Sequence, residues 1–223
     1  MKKIIILTGI TGALGSLLYF LGDMLLYFTT DPVNPDSGLA AYAGIMSELP
    51  LIRIMTGGFI GLMAAFCICI GYWHLYIAIK PQCKKLKMII LGLLLFGEIM
   101  GGAYHSQFSI LGFMYPESSE NGIRLLIENI SILGNMTFYA LASGYIILTI
   151  LIILGKTVYP RWFFLILPIS LVWLIFVIRL LPQPLYIIFA GGWNSLIFFP
   201  FFLPSTWFLL KNENLVFVPM GIS

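Results

Sequence analysis

Residues 86–113 read LKMIILGLLLFGEIMGGAYHSQFSILGF. The run holds one lysine at its start, no proline and no period-two alternation. At 1.5 Å per residue it exceeds a hydrocarbon core of about 30 Å. It reads as a membrane-spanning helix. Inside it Glu98, Gly101, Gly102, His105, Ser109 and Gly112 recur at helical spacing, which puts a carboxylate and an imidazole two turns apart on one face. Ionisable groups at such depth are costly, so this stripe is the first place to look for an activity.

The rest of the chain repeats the apolar pattern. Hydrophobic residues are 60% of 223, charged residues 9%, and mean hydropathy is +1.01, more apolar surface than a soluble domain of this length can bury. Lipid cannot hydrogen-bond the backbone, so the spans must be helices or a closed barrel, and unalternating runs select helices. Six runs are long enough: 4–28, 51–79, 86–113, 125–154, 162–181 and 185–210. Asp31-Pro32, Asn34-Pro35, Lys80-Pro81, Tyr115-Pro116, Tyr159-Pro160 and Pro182-Gln183-Pro184 punctuate them. The expectation is an all-α integral membrane bundle of six transmembrane helices, one domain over 1–223. The connection between the last two runs is so short that they form a tight antiparallel hairpin, or one of them is re-entrant.

Basic residues orient the chain, because Lys and Arg stay on the cytoplasmic side of short loops. With the N-terminus inside, Lys2, Lys3, Lys80, Lys84, Lys85, Lys87, Lys156, Arg161 and Lys211 fall inside, leaving three of the 12 basic residues, Arg53, Arg124 and Arg179, outside. Both termini are then cytoplasmic, as an even number of spans requires. Trp73, Trp162 and Trp207 fall at the same interface, and the external loops carry Asp31, Asp36, Glu48, Glu117 and Glu120. The predicted location is the cell membrane, multi-pass, of the bacterial cytoplasmic type. Lys2-Lys3 before an apolar run also resembles a secretion signal, but the run is longer than a signal core of roughly 7–15 residues, so a retained first span is expected. Thr8-Gly9-Ile10-Thr11-Gly12-Ala13-Leu14-Gly15 mimics a dinucleotide-binding turn. No strand–helix alternation follows it, and the glycines fit close helix approach better.

Several classes are excluded. Cys67, Cys69 and Cys83 make neither a disulfide framework nor a zinc spacing, the two histidines are far apart, and no metal or cofactor is called for. No basic patch with interleaved aromatics points to nucleic acid. The partners expected are the lipid bilayer, a small-molecule or lipid ligand, and a second copy of the chain through the small-residue faces Gly57 with Gly61 and Gly97 with Gly101.

Assigning depth to each polar residue places most of them in the half of the bundle away from the lysines. Asp23 lies near the outer end of the first span, in line with Ser16, Tyr19 and Tyr27, and Glu98 lies near mid-membrane with His105 about 10 Å further out. Glu128, Ser131, Asn135 and Tyr139 form a stripe on the fourth span, and Trp193 and Asn194 lie in the outer half of the last. These residues predict a polar cavity opening outward and floored near Glu98. Glu98, His105 and Asp23 are the catalytic candidates. Asn135, Asn194, Trp193, Glu128, Arg53, Arg179 and Tyr27 are the candidates for holding a ligand, the two arginines as counter-charges. The plainer reading makes Asp23 and Glu128 helix-end charges and His105 an interhelical hydrogen-bonding residue; Glu98, without a route to the interface, resists it.

A buried carboxylate near an imidazole can exchange protons, the requirement of acid/base catalysis and of proton-coupled transport alike. Three functions follow as expectations: a binding protein for a small or lipid-like molecule, an enzyme that isomerises, protonates or cyclises a lipid-soluble substrate, and a transporter component or structural accessory protein. The missing internal repeat weakens a self-sufficient transporter. The segment Gly22-Asp23-Met24-Leu25-Leu26-Tyr27, in a chain of this plan, resembles uncharacterised families of small bacterial polytopic membrane proteins with about six spans. That resemblance implies a membrane bundle and transfers neither a function nor any site residue.

Overall fold

The structure, a computed structural model, describes residues 2–32, 38–115 and 118–212. Asn34-Pro35, Asp36, Pro116 and Glu117, read above as loop features, lie outside the described residues, as does the chain after Asn212.

Helix α1 (Lys2–Tyr27) is followed by a short helix α2 (Gly38–Ser47), then by α3 (Leu51–Gly71), which continues past Tyr72 as α4 (Trp73–Ala78). A 3-10 turn at Pro81–Cys83 leads into α5 (Lys84–Met114), and Ser119 caps α6 (Glu120–Ile153) by accepting the Gly122 N–H at 3.2 Å. Lys2–Tyr27, Leu51–Ala78, Pro81–Met114, Glu120–Ile153 and Ile187–Lys211 are long and apolar enough to cross a membrane, which makes this a helical membrane protein. The outside is correspondingly apolar: Leu7, Ile10 and Leu14 on α1 and Ile52, Phe59 and Phe66 on α3 are exposed.

The continuous helix expected over 162–181 is absent. The chain there forms a 3-10 turn Arg161–Ile166, α7 (Pro168–Leu171), a 3-10 turn Val172–Leu174 and α8 (Ile175–Ile178). The cause is local. Pro168 pushes the residue before it out of the helical region, and Leu167 sits at φ −67°, ψ 146°. Carbonyls freed by the break still need donors in an apolar setting. The Ser170 hydroxyl donates to Phe164 O at 2.7 Å, and the Trp193 indole donates to Leu171 O at 3.0 Å. After Pro184 the chain re-enters through a π-turn at Ile187–Gly191 into α9 (Gly192–Leu196) and α10 (Phe199–Lys211). The region 38–47, read as external loop, is helical because Ala43 and Met46 bury an apolar face against α5.

Small residues set how closely α1 and α3 approach. A Cβ on Gly22 would lie 3.0 Å from the Gly57 carbonyl, and one on Gly57 would lie 3.0 Å from the Gly22 carbonyl. The glycines of the mimicked nucleotide motif serve the same end, Gly12 meeting Phe202 and Gly15 the Ala64–Ile68 stretch. Gly61 packs on His105 and Gly97 on Leu141, so both small-residue pairs are engaged within the chain.

At the lysine-bearing end a second polar cluster closes the bundle. His74 Nε2 lies 2.7 Å from the Ile5 carbonyl, which can only accept, so Nε2 carries the proton and Nδ1 accepts from Ser205 Oγ at 3.1 Å. Tyr159 Oη then donates to Ser205 Oγ at 2.6 Å. The first and last long helices are thereby tied to one imidazole, and Lys80 Nζ donates to Gly155 O at 2.8 Å at the same end. His74 is fully buried and joins helices through these contacts.

Candidate functional site

Two packed clusters fill the bundle. One, toward the lysines, includes Ile5, Ile68, Tyr145, Phe163 and Phe201; the other includes Leu26, Tyr27, Met46, Phe108 and Ile187. A cavity of about 560 Å³ lies between them, walled by residues of both. Asp23, Glu98, His105, Tyr27, Asn135 and Asn194 from the sequence reading all line it.

Asp23 is the centre of one polar cluster. Its Oδ1 lies 3.1 Å from His105 Nε2, and its Oδ2 accepts from the Ser195 hydroxyl. Ser16 fixes Ser195 in turn by donating to its carbonyl at 2.5 Å, and Tyr27 Oη donates to Gly191 O at 2.7 Å. Asp23, His105 and Ser195 are each buried, with 6–7% exposure. The other nitrogen of His105, Nδ1, is buried without a partner and faces Gly61, where a Cβ would come within 2.0 Å of it. The imidazole that this geometry accommodates donates from Nε2 and keeps its lone pair at Nδ1.

Glu98 forms the second cluster. Its Oε2 accepts from Tyr72 Oη at 3.0 Å, and Tyr145 Oη stands 3.4 Å behind Tyr72 Oη as donor to it. Tyr19 links the clusters, its ring centroid 5.4 Å from that of His105 and its hydroxyl beside Glu98. The wall around these groups is aromatic, with Tyr104, Phe108, Phe138 and Phe198 among its members. Leu39 and Tyr42 of α2 form the wall at the Tyr27 end, where the sequence reading had placed an outward mouth. The Tyr42 and Tyr27 rings meet at 4.9 Å, and burial, with Tyr186 adding to it, pushes the Tyr42 hydroxyl above its ordinary pKa and keeps it a neutral donor.

The remaining sequence candidates lie elsewhere. Arg53 donates to the carbonyls of Leu25 at 2.9 Å, Met24 at 3.1 Å and Phe28 at 3.0 Å, finishing the C-terminal end of α1 rather than neutralising a carboxylate. Glu128 pairs with Arg124 at 2.7 Å on an exposed face of α6. Arg179 is exposed after α8 and does not line the cavity, and Trp193 is occupied with Leu171 O. Sequence reasoning missed Tyr72, Tyr145 and Ser195. Only Ser195 carried a signal, as a hydroxyl directly after Asn194.

Chemically, the Ser195 hydroxyl donates to Asp23 and not to His105, so the carboxylate stands between serine and imidazole. That order does not make a nucleophile activated by a base. What it makes is an acceptor, fixed by two donors, on a cavity wall. Among the described residues no group of three or more His, Cys, Asp or Glu converges so as to hold a metal.

No curated protein and no solved structure matches the chain. A family profile does match, over residues 1–212, and on that coverage the chain belongs to the family described as Family of unknown function (DUF6796).

Proposed function

We propose that this membrane protein holds a small amphipathic or lipid-like molecule in the cavity between its two packed clusters, with Asp23, Glu98 and His105 at its polar end. One observation carries the reading: a cavity of about 560 Å³ combines an aromatic wall with two buried acid clusters. Ligand sites commonly occupy roughly 300–1,000 Å³ and are apolar with a few placed polar groups. Mass spectrometry of the purified protein should find a bound molecule. Glu98→Gln, which keeps an acceptor for Tyr72, should lose it with unchanged protein yield. An empty wild-type protein, or a Glu98→Gln variant loaded like wild type, would remove the support for this reading.

A second reading, an acid/base enzyme acting on a lipid-soluble substrate, is favoured by the hydroxyl relay Tyr145–Tyr72–Glu98, through which a proton can pass to or from the cavity. Glu98→Gln would then retain the molecule in unconverted form, and mass spectrometry separates that outcome from simple loss.

The proposed topology has both ends cytoplasmic and six crossings, the fifth in broken pieces. In its support, Ile5 and Ser205 meet the same His74, and Gly191 lies level with Tyr27 at the opposite end, so the broken segment must carry the chain back along the bundle. Reporter fusions after Lys84 and after Glu120 are expected on opposite sides, the Lys84 fusion inside. The same side for both would sink this topology.

A further inference from the structure

The cavity has an exposed flank inside the span. Ser131 and Asn135 on α6 and Asn194 on α9 line it yet are exposed, and Phe138 is 53% exposed. α6 packs along α5 and meets the broken segment, whereas α9 packs against α1, so the two sides of this flank belong to different helix pairs. Asn135 stands near the middle of α6, at bilayer depth, where an exposed amide with no hydrocarbon role marks a lined opening. At the Tyr27 end Leu39 and Tyr42 stand in the wall. The flank between α6 and α9, bounded by Pro168, Ile169 and Val172 of the broken segment, is thus the side on which polar residues that line the cavity are also exposed.

The lining also sorts ligands by charge. It contains two carboxylates and no Lys or Arg. Its one imidazole has no N–H to spare, Nε2 being held by Asp23 and Nδ1 walled by Gly61. An anion entering would meet two acids and no Lys or Arg, an unfavourable juxtaposition in a site shielded from water. A donor group meets acceptors already fixed in place. Resting on the reading of the cavity as a ligand site, we propose that it takes a single-chain amphiphile with a hydrogen-bond-donating head that carries no negative charge, an amine or an alcohol, which enters from the bilayer between α6 and α9.

Diazirine-bearing dodecylamine, dodecanol and dodecanoate, photolysed with the full-length protein in nanodiscs, test this. The amine and the alcohol should label peptides from α6 and from 187–198, each competed by its unlabelled form, with dodecanoate labelling lower by roughly tenfold or more. Asn135→Trp with Asn194→Trp, both at exposed positions, should slow labelling by the amine severalfold while the variant elutes as wild type on size exclusion. Dodecanoate labelling equal to the amine's would overturn the head-group inference alone. Unchanged labelling rates in the double variant would overturn the route. No competed labelling by any of the three would overturn the reading of the cavity as a site for such molecules.

Discussion

Gly61→Ala should be among the most damaging single-methyl additions in this chain, lowering stability by about 3 kcal/mol and, under the proposed function, abolishing ligand binding in the cavity. The added Cβ would lie 2.0 Å from His105 Nδ1 and 2.4 Å from Cγ. Cγ is fixed to its own Cβ, so the ring cannot lean aside; it must change rotamer, and the 3.1 Å contact with Asp23 goes with it. Two other helical glycines give the opposite sign. A Cβ on Gly44 or Gly92 meets nothing within 4 Å, and alanine is favoured over glycine in a helix interior by about 0.5–1 kcal/mol. Thermal unfolding in detergent should therefore rank Gly61→Ala well below wild type, and Gly44→Ala and Gly92→Ala at or above it. A Gly61→Ala protein that melts with wild type would show that His105 does not occupy this place.

Asp23→Ala is expected to cost about 2–3 kcal/mol. It strands two buried donors, the Ser195 hydroxyl and the His105 N–H, and each orphaned donor costs about 1–3 kcal/mol in a soluble interior. In membranes single polar contacts average nearer about 0.6 kcal/mol, because the unfolded helices find other partners, and this holds the sum toward the lower end. Asp23→Asn preserves the shape and one acceptor and should cost roughly half as much. The diagnostic is coupling: once Asp23 is gone the Ser195 hydroxyl has already lost its acceptor. Asp23→Ala with Ser195→Ala should then destabilise by less than the sum of the two single changes. Denaturant unfolding in mixed micelles measures all four proteins. Strict additivity would contradict a shared cluster.

Much of this architecture is written in single-helix patterns. Run length marks six spans, of which five are helices long and apolar enough to cross a membrane, and the i, i+7 pair Glu98 and His105 with Asp23 on the first span lines the cavity. What escaped depends on how helices are rotated against one another. Tyr72 and Tyr145 are ordinary helical tyrosines until packing brings Tyr72 to Glu98 and Tyr145 to Tyr72, across sequence separations of 26 and 73 residues. Arg53 and Glu128 look like partners for buried acids until geometry gives one to backbone carbonyls and the other to Arg124. Pro168 is legible in the sequence as a point where a helix is interrupted, but the extent of the break is not. It persists because Trp193, 22 residues beyond Leu171, supplies the missing donor.

The joining of first and last helices at His74 bears on how the protein is made. Ile5 and His74 enter the membrane early, whereas Ser205 arrives with the final helix, and Ser195, which completes the Asp23 cluster, arrives in the same stretch. Until that stretch is inserted, His74 lacks its contact with Ser205 and Asp23 lacks the Ser195 hydroxyl. A chain interrupted before it would leave each of those two groups with one hydrogen-bonding partner where the longer chain supplies two.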